Sequence, residues 1–83
     1  MNVELSPRAA KYLARLDNPL KGRIKDALRN LAQEPPHGDI KALAGRDGYR
    51  LRVGDYRLLF DILNDEIIVY EIGSRGQIYK GGR

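Results

Sequence analysis

The sequence predicts an α+β fold, in which an N-terminal helical hairpin packs on one face of a small, mainly antiparallel β-sheet. Two patterns of apolar residues carry this prediction. Apolar residues in the first half recur every three or four positions, as on a helix face, whereas from Tyr49 onward they recur at every second position, as in a half-buried strand. Helices on one side leave the other face of the sheet open, and we expect function to lie there.

The first element is a short strand, because Asn2-Val3-Glu4-Leu5 alternates polar and apolar residues. Ser6-Pro7 then predicts a helix start, with a hydroxyl that can cap the first amides and a proline suited to the first helical position. We expect this helix to run from Pro7 to Leu16. Its basic residues form a row on a side away from the apolar ones: Arg8, Lys11 and Arg15.

A second helix follows Asp17-Asn18-Pro19, which repeats the start signal. Pro35-Pro36 ends it, because proline lacks an amide donor and pushes the preceding residue out of helical geometry. Its apolar residues recur at helical spacing: Leu20, Ile24, Ala27, Leu28 and Leu31.

The second half predicts a β-hairpin with a tight turn at Gly54-Asp55, which separates an alternating segment from Tyr49 to Val53 from another that begins at Tyr56. A second turn around Asn64-Asp65-Glu66 leads into a strand over residues 67–73. We expect this turn to hold three residues, since a two-residue turn would place Glu71 on the apolar face. The longer turn instead groups these apolar residues on one face: Leu58, Phe60, Ile62, Ile68, Tyr70 and Ile72.

The composition limits the classes of function. A chain of 83 residues with 42% hydrophobic residues suits one folded domain, residues 1–83. The absence of cysteine excludes disulfide frameworks, zinc fingers and thiol catalysis. No apolar run is long enough to span a bilayer, and we expect a cytoplasmic protein. The net charge of +4 favours a polyanionic partner.

The predicted hairpin brings arginines together on the open face. A two-residue turn places Arg52 directly across from Arg57, and Arg50 lies two positions along. Facing guanidiniums repel each other and cannot lose their protons near neutral pH, so an anion is the natural compensation. The alternative is internal neutralisation, because Asp61 and Glu71 share this face in the assigned register.

Arg75 and Tyr79 follow the last strand, and both can extend towards the same open face of the sheet. Several arginines beside an aromatic ring suit RNA, because guanidinium groups bind phosphate oxygens in pairs and a tyrosine ring stacks on an unpaired base. The alternative for Tyr79 is a tail residue folded onto the core. His37, the single histidine, is expected in an exposed loop, and no cluster of ligands predicts a metal site or a cofactor.

These residues resemble a known family, the RelE-like toxins of the RelE/ParE toxin–antitoxin superfamily. The segments that carry the resemblance are YRLRVGDYRLLF, residues 49–60, and IIVYEIGSRGQIY, residues 67–79. The resemblance implies a RelE-like fold and a metal-independent endoribonuclease that cuts messenger RNA in the ribosomal A site. In that reaction the 2′-hydroxyl attacks the adjacent phosphate.

The resemblance also implies roles for individual residues. Arg50 and Arg52 match the paired basic positions of the family, Arg57 and Arg75 match its two arginines, and Tyr79 matches its terminal tyrosine. The catalytic set is then Arg52, Arg57, Arg75 and Tyr79, and the RNA-binding set is Arg50, Arg52, Arg57 and Arg75. Relatives carry lysines where Arg50 and Arg52 stand, and arginine serves poorly as a base, so the sequence predicts electrostatic stabilisation at these two positions.

The resemblance further implies a RelB-like antitoxin, which we expect to be acidic and elongated and to form a hetero-oligomer with this chain. The basic helix rows are interpreted as solvated, with ribosomal RNA or an acidic partner segment as alternatives. The alternative function is a non-catalytic ParE-like toxin, or an inert homologue, that acts by binding protein.

Overall fold

In the computed structural model, which describes residues 1–74, two helices pack on one face of a five-stranded mixed sheet. This confirms the predicted α+β fold. The sheet order is β1-β5-β4-β3-β2, with β1 parallel to β5 and the other neighbours antiparallel. The elements are β1 (Asn2–Leu5), α1 (Pro7–Ala14), α2 (Leu20–Leu31), β2 (Asp39–Ala42), β3 (Tyr49–Val53), β4 (Tyr56–Leu63) and β5 (Glu66–Ser74).

The start of α1 follows the predicted signal. The Ser6 hydroxyl accepts a hydrogen bond from the Ala9 amide at 3.1 Å and donates one to the Tyr70 carbonyl at 3.0 Å. It therefore caps α1 and ties the helix to β5. The helix ends at Ala14, two residues before the predicted Leu16, because the last turn tightens and the Leu16 amide bonds to the carbonyl three residues back.

The core lies between the helices and the sheet. Helix α2 begins at Leu20 and ends at Leu31, which are the first and last of the predicted apolar positions, so it ends before the prolines that were expected to stop it. None of the helices within residues 1–74 is long and apolar enough to cross a membrane. The buried cluster draws on both helices and on three strands: Ala9, Leu13, Ile24, Leu31, Leu51, Leu58, Phe60, Ile67, Val69 and Ile72.

The turn between β4 and β5 differs from the prediction of three residues. Leu63 pairs with Glu66, so the turn holds only Asn64 and Asp65, both with positive φ as in a type I′ turn. Consequently Ile67 and Val69 face the core, and the predicted core positions Ile68 and Tyr70 are wrong. Ile62 lies on the same face of β4 as Phe60, but 40% of its surface is exposed.

A β-bulge explains how Glu71 stays out of the core despite the shorter turn. Phe60 pairs with Val69 and Leu59 pairs with Glu71, which leaves Tyr70 as an extra residue in β5. The inserted residue reverses the alternation, so Ile72 returns to the core face. The prediction for Ile72 is therefore confirmed, although by a different register.

Candidate anion-binding site

The face of the sheet opposite the helices carries the predicted arginines. The turn at Gly54 and Asp55 pairs Val53 with Tyr56, so Arg52 and Arg57 are cross-strand partners, as predicted. Arg50 lies two positions along β3 and pairs with Leu59. We call Arg50, Arg52 and Arg57 the arginine face.

An aspartate that the sequence analysis did not single out lies beside the arginine face. Asp39 on β2 is the cross-strand partner of Arg52, and its Oδ2 accepts a hydrogen bond of 2.6 Å from the Arg52 Nε. Its Oδ1 lies 3.9 Å from Nη1 of Arg50. One carboxylate therefore forms ion pairs with two guanidiniums. The three arginines and Asp39 together keep a net charge of +2.

The two carboxylates of the alternative interpretation, Asp61 and Glu71, do not neutralise the arginine face. Glu71 forms an ion pair with Arg8 of α1, at 3.9 Å, and no ion pair within residues 1–74 joins Asp61 to the arginine face. Internal neutralisation is thus partial and comes from a different strand. The alternation of Asp39-Ile40-Lys41 was the signal that could have indicated β2 and its aspartate.

Arg57 is the most confined member of the face, with 6% of its surface exposed. Its Nη1 donates to the carbonyls of Gly54 and Tyr56, at 3.3 and 3.2 Å, so the β3–β4 turn orients the guanidinium. Its Nε is buried without a hydrogen-bond partner among the described residues, and no carboxylate there pairs with it. A buried cation with an unused donor favours an anion in contact with it.

Arg50 has a similar deficit. Its side chain is 14% exposed, and its Nη1 is buried with no hydrogen-bond partner in the described part of the chain, because Asp39 is too far away to accept. Arg52 is half exposed and already paired. The face therefore combines one accessible arginine with two confined arginines that retain unused donors.

The remaining predicted site residues are placed as follows. Arg75 and Tyr79 lie outside the described residues, so their roles stay predictions. The strand β5 contacts the arginine face at Gly73, which is the cross-strand partner of Arg57.

His37 is exposed in the loop before β2, as predicted, with its Nδ1 2.5 Å from Oε1 of Gln33. Within residues 1–74 no group of three or more His, Cys, Asp or Glu side chains is arranged to hold a metal ion.

Comparison with known proteins gives consistent matches over nearly the whole chain. The family described as "ParE toxin of type II toxin-antitoxin system, parDE" matches residues 3–79. A protein of Methanocaldococcus jannaschii that carries the name toxin RelE1 is 34% identical over 85 residues, which covers 95% of this chain and 94% of the relative.

Solved structures match as well. The RelB–RelE antitoxin–toxin complex from Methanococcus jannaschii contains a chain with 25% identity and a TM-score of 0.79, with 96% of this chain and 99% of that one covered. A chain of the archaeal RelE–RelB complex from Pyrococcus horikoshii has 26% identity and a TM-score of 0.77, with coverage of 92% and 96%.

Proposed function

This chain belongs to the family of ParE toxins of type II toxin–antitoxin systems, and from its similarity to RelE toxins we propose that it is a toxin that cleaves messenger RNA in the ribosomal A site. The names of its relatives confirm the resemblance to RelE-like toxins. The observation that carries the proposal is the arginine face, whose confined Arg57 has no counter-ion among residues 1–74. We assign the activity to a single domain, residues 1–83.

The proposed reaction is a transesterification within the RNA. The 2′-oxygen attacks the adjacent phosphorus, the O2′–P bond forms and the P–O5′ bond breaks. The 2′-hydroxyl loses a proton and the departing 5′-oxygen gains one, so the products are a 2′,3′-cyclic phosphate and a 5′-hydroxyl. Negative charge grows on the phosphoryl oxygens along this path, and fixed guanidiniums stabilise it.

The arginine face supports distinct roles in this reaction. We propose that Arg57, whose guanidinium donates to the turn carbonyls, stabilises the pentacoordinate phosphorane and that Arg75 assists it. Arg50 and Arg52 bind phosphate oxygens, with Arg52 contributing to catalysis. We propose that Tyr79 stacks on a base next to the scissile bond. The arginines keep their protons throughout, so they act through charge and hydrogen bonding.

We propose that an acidic RelB-like antitoxin binds the chain and silences it in a hetero-oligomer in the cytoplasm. Both of the solved structures described above are complexes of a RelE chain with RelB. The net charge of +4 and the incompletely neutralised arginine face favour an acidic partner.

A second candidate function comes from the description of the matching family, which is ParE rather than RelE. A ParE-like toxin would arrest growth by binding a protein, without RNA cleavage. An inert homologue would neither cleave RNA nor arrest growth.

Mapping of RNA 5′ ends distinguishes these functions. Wild-type protein is added to a translation mixture and, separately, to the same message without ribosomes; Arg57→Gln serves as the matched variant. We expect new 5′-hydroxyl ends, phased with codons, only with wild-type protein and ribosomes. Growth arrest of cells that express the wild-type protein, without new ends in the translation mixture, would favour the ParE-like function, and absence of both would indicate an inert homologue.

A further inference from the structure

The proposed cleavage needs an acceptor for the proton of the 2′-hydroxyl. The arginine face cannot supply one, because a guanidinium keeps its proton and has no acceptor atom. A carboxylate or a neutral histidine can act as such a base when it lies within hydrogen-bond reach of the hydroxyl. The question is therefore which of these groups lies beside the arginines.

Asp39 is the one carboxylate within residues 1–74 that forms ion pairs with the arginine face. Asp61 is on the same strand as Arg57 but four residues further on, roughly 13 Å along the strand. Glu71 forms its ion pair with Arg8 of α1. Position and pairing therefore both favour Asp39.

His37 lies only two residues before Asp39, but its side chain is engaged elsewhere. Its Nδ1 is 2.5 Å from Oε1 of Gln33, which follows the end of α2. The helices pack on the face of the sheet opposite the arginine face. The contact with Gln33 therefore holds the imidazole away from the arginines.

The two oxygens of the Asp39 carboxylate have different surroundings. Oδ2 accepts the hydrogen bond of 2.6 Å from Nε of Arg52, which orients the carboxylate. Oδ1 lies 3.9 Å from Nη1 of Arg50, too far for a hydrogen bond, and accepts none from the described part of the chain. The side chain is about half exposed. One oxygen of an oriented and accessible carboxylate therefore keeps its lone pairs for a substrate.

Oδ1 of Asp39 and Nη1 of Arg50 place an acceptor beside a donor, and neither has a hydrogen-bond partner within residues 1–74. A ribose with a 3′-phosphate offers the matching pair, because its hydroxyl and its phosphate are attached to neighbouring carbons. The hydroxyl can donate to the aspartate while a phosphate oxygen accepts from the arginine. Deoxyribose lacks this hydroxyl, so the two side chains suit RNA.

We infer that Asp39 is the general base of the cleavage, an inference that deepens the proposed function and rests on it. Oδ1 takes the proton of the 2′-hydroxyl while the O2′–P bond forms and the P–O5′ bond breaks. The departing 5′-oxygen takes a proton from water, and the hydroxide that remains removes the proton from Asp39. Arg52 keeps its hydrogen bond to Oδ2 and positions the base throughout.

The test measures single-turnover cleavage of ribosome-bound message by the full-length wild type, Asp39→Asn and Asp61→Asn. Asparagine keeps the shape of aspartate and an acceptor oxygen, but it cannot take up the proton. We expect Asp39→Asn to cleave about 10²- to 10⁴-fold more slowly, the usual contribution of a general base. It should still bind a short single-stranded RNA at least as tightly as the wild type. Asp61→Asn, which has no ion pair with the arginine face among residues 1–74, should cleave at the wild-type rate.

The dependence of the rate on pH separates a base from an aspartate that only supports the structure. The rate of Asp39→Asn should rise about tenfold per pH unit between about pH 6 and 8, because hydroxide then removes the proton in place of the carboxylate. The wild-type rate should change much less over this range.

Three results would overturn the inference and leave the proposed function standing: equal rates for wild type and Asp39→Asn, parallel pH profiles for the two proteins, or a slower Asp39→Asn that also binds RNA more weakly. The last result would mean that the aspartate acts only by orienting the arginines. A wild-type protein that produces no new 5′-hydroxyl ends on ribosomes refutes the proposed function, and the assignment of its base with it.

Discussion

Asp39 and Arg52 form a cross-strand ion pair, with 2.6 Å between Oδ2 of the aspartate and Nε of the arginine. Arg57, on the other side of Arg52, has no carboxylate partner among residues 1–74. The arginine face is therefore asymmetric: Asp39 neutralises part of the charge of Arg50 and Arg52, whereas the charge of Arg57 is not neutralised by a carboxylate within residues 1–74.

Removal of the competing carboxylate should strengthen anion binding. We expect Asp39→Asn to lower the Kd for a short single-stranded RNA about fivefold, the effect of about 1 kcal/mol for one charge at contact distance in water. The cost in folding stability should stay below about 1 kcal/mol, because both partners are about half exposed. Titration of the oligonucleotide by fluorescence anisotropy measures the change.

Asp61→Asn is the matched control, since Asp61 lies on the same strand as Arg57 and has no ion pair with the arginine face within the described residues. It should change the affinity much less. Weaker binding by Asp39→Asn would show instead that the aspartate is needed to orient Arg50 and Arg52.

Arg57→Gln should abolish most of the proposed cleavage. Loss of one fixed donor to the transition state costs about 10²- to 10³-fold in rate. The thermal unfolding midpoint should change little, because Arg57 makes only carbonyl hydrogen bonds and carries a confined charge without a counter-ion among residues 1–74. Single-turnover cleavage of ribosome-bound message gives the rate.

Arg29→Gln removes the same charge from an exposed position of α2 that is paired with Asp26, and it should retain near wild-type cleavage. Equal rates for wild type and Arg57→Gln would exclude Arg57 from the reaction.

Ser6→Ala should destabilise the fold. The change removes both the cap of α1 and the hydrogen bond from the hydroxyl to the Tyr70 carbonyl. We expect a loss of about 1–2 kcal/mol in the free energy of unfolding, or roughly 4–8 °C in Tm for each kcal/mol lost. Denaturant unfolding measures it, and Ser6→Thr, which keeps a hydroxyl, should recover most of the loss. A Ser6→Ala protein as stable as wild type would contradict this account of the cap.

Stability should fall at alkaline pH through Tyr12. Burial raises the pKa of the Tyr12 phenol above its usual value, and the nearby Tyr56 adds to the shift. Folding therefore disfavours the phenolate, so this stabilisation is fully present below about pH 10 and is lost as the pH rises through the higher pKa of the folded state. In denaturant titrations between about pH 9 and 12, Tyr12→Phe should lose less stability than wild type. Equal slopes in the two proteins would contradict the prediction.

The elements that local patterns define were predictable from the sequence. The helix start at Ser6-Pro7, the apolar spacing of α2 and the tight turn at Gly54-Asp55 each depend on a few neighbouring residues. For the same reason, the pairing of Arg52 with Arg57 followed from the sequence. The bulge at Tyr70 did not, because it depends on how β5 meets β4 across the sheet and not on β5 alone.

Asp39 was not predicted as a site residue for a similar reason. Asp39 belongs to a four-residue strand with one half-buried apolar residue, Ile40, directly after a segment rich in proline and glycine. So short an alternation becomes a strand only because β3 is available to pair with it. The ion pair between Asp39 and Arg52 therefore depends on tertiary structure, whereas the position of Arg57 is determined by the turn beside it.

The parallel pairing of β1 with β5 affects how the protein is made. Val3 pairs with Ile67, and the amide of Ser6 bonds to the carbonyl of Val69, so the first strand has no partner in the sheet until residues more than sixty positions later have been synthesised. Contacts of such separation form late and slowly. A ribosome translating this chain would therefore release almost all of it before the sheet could close, and a product truncated ahead of β5 would lack the strand on which both β1 and α1 depend.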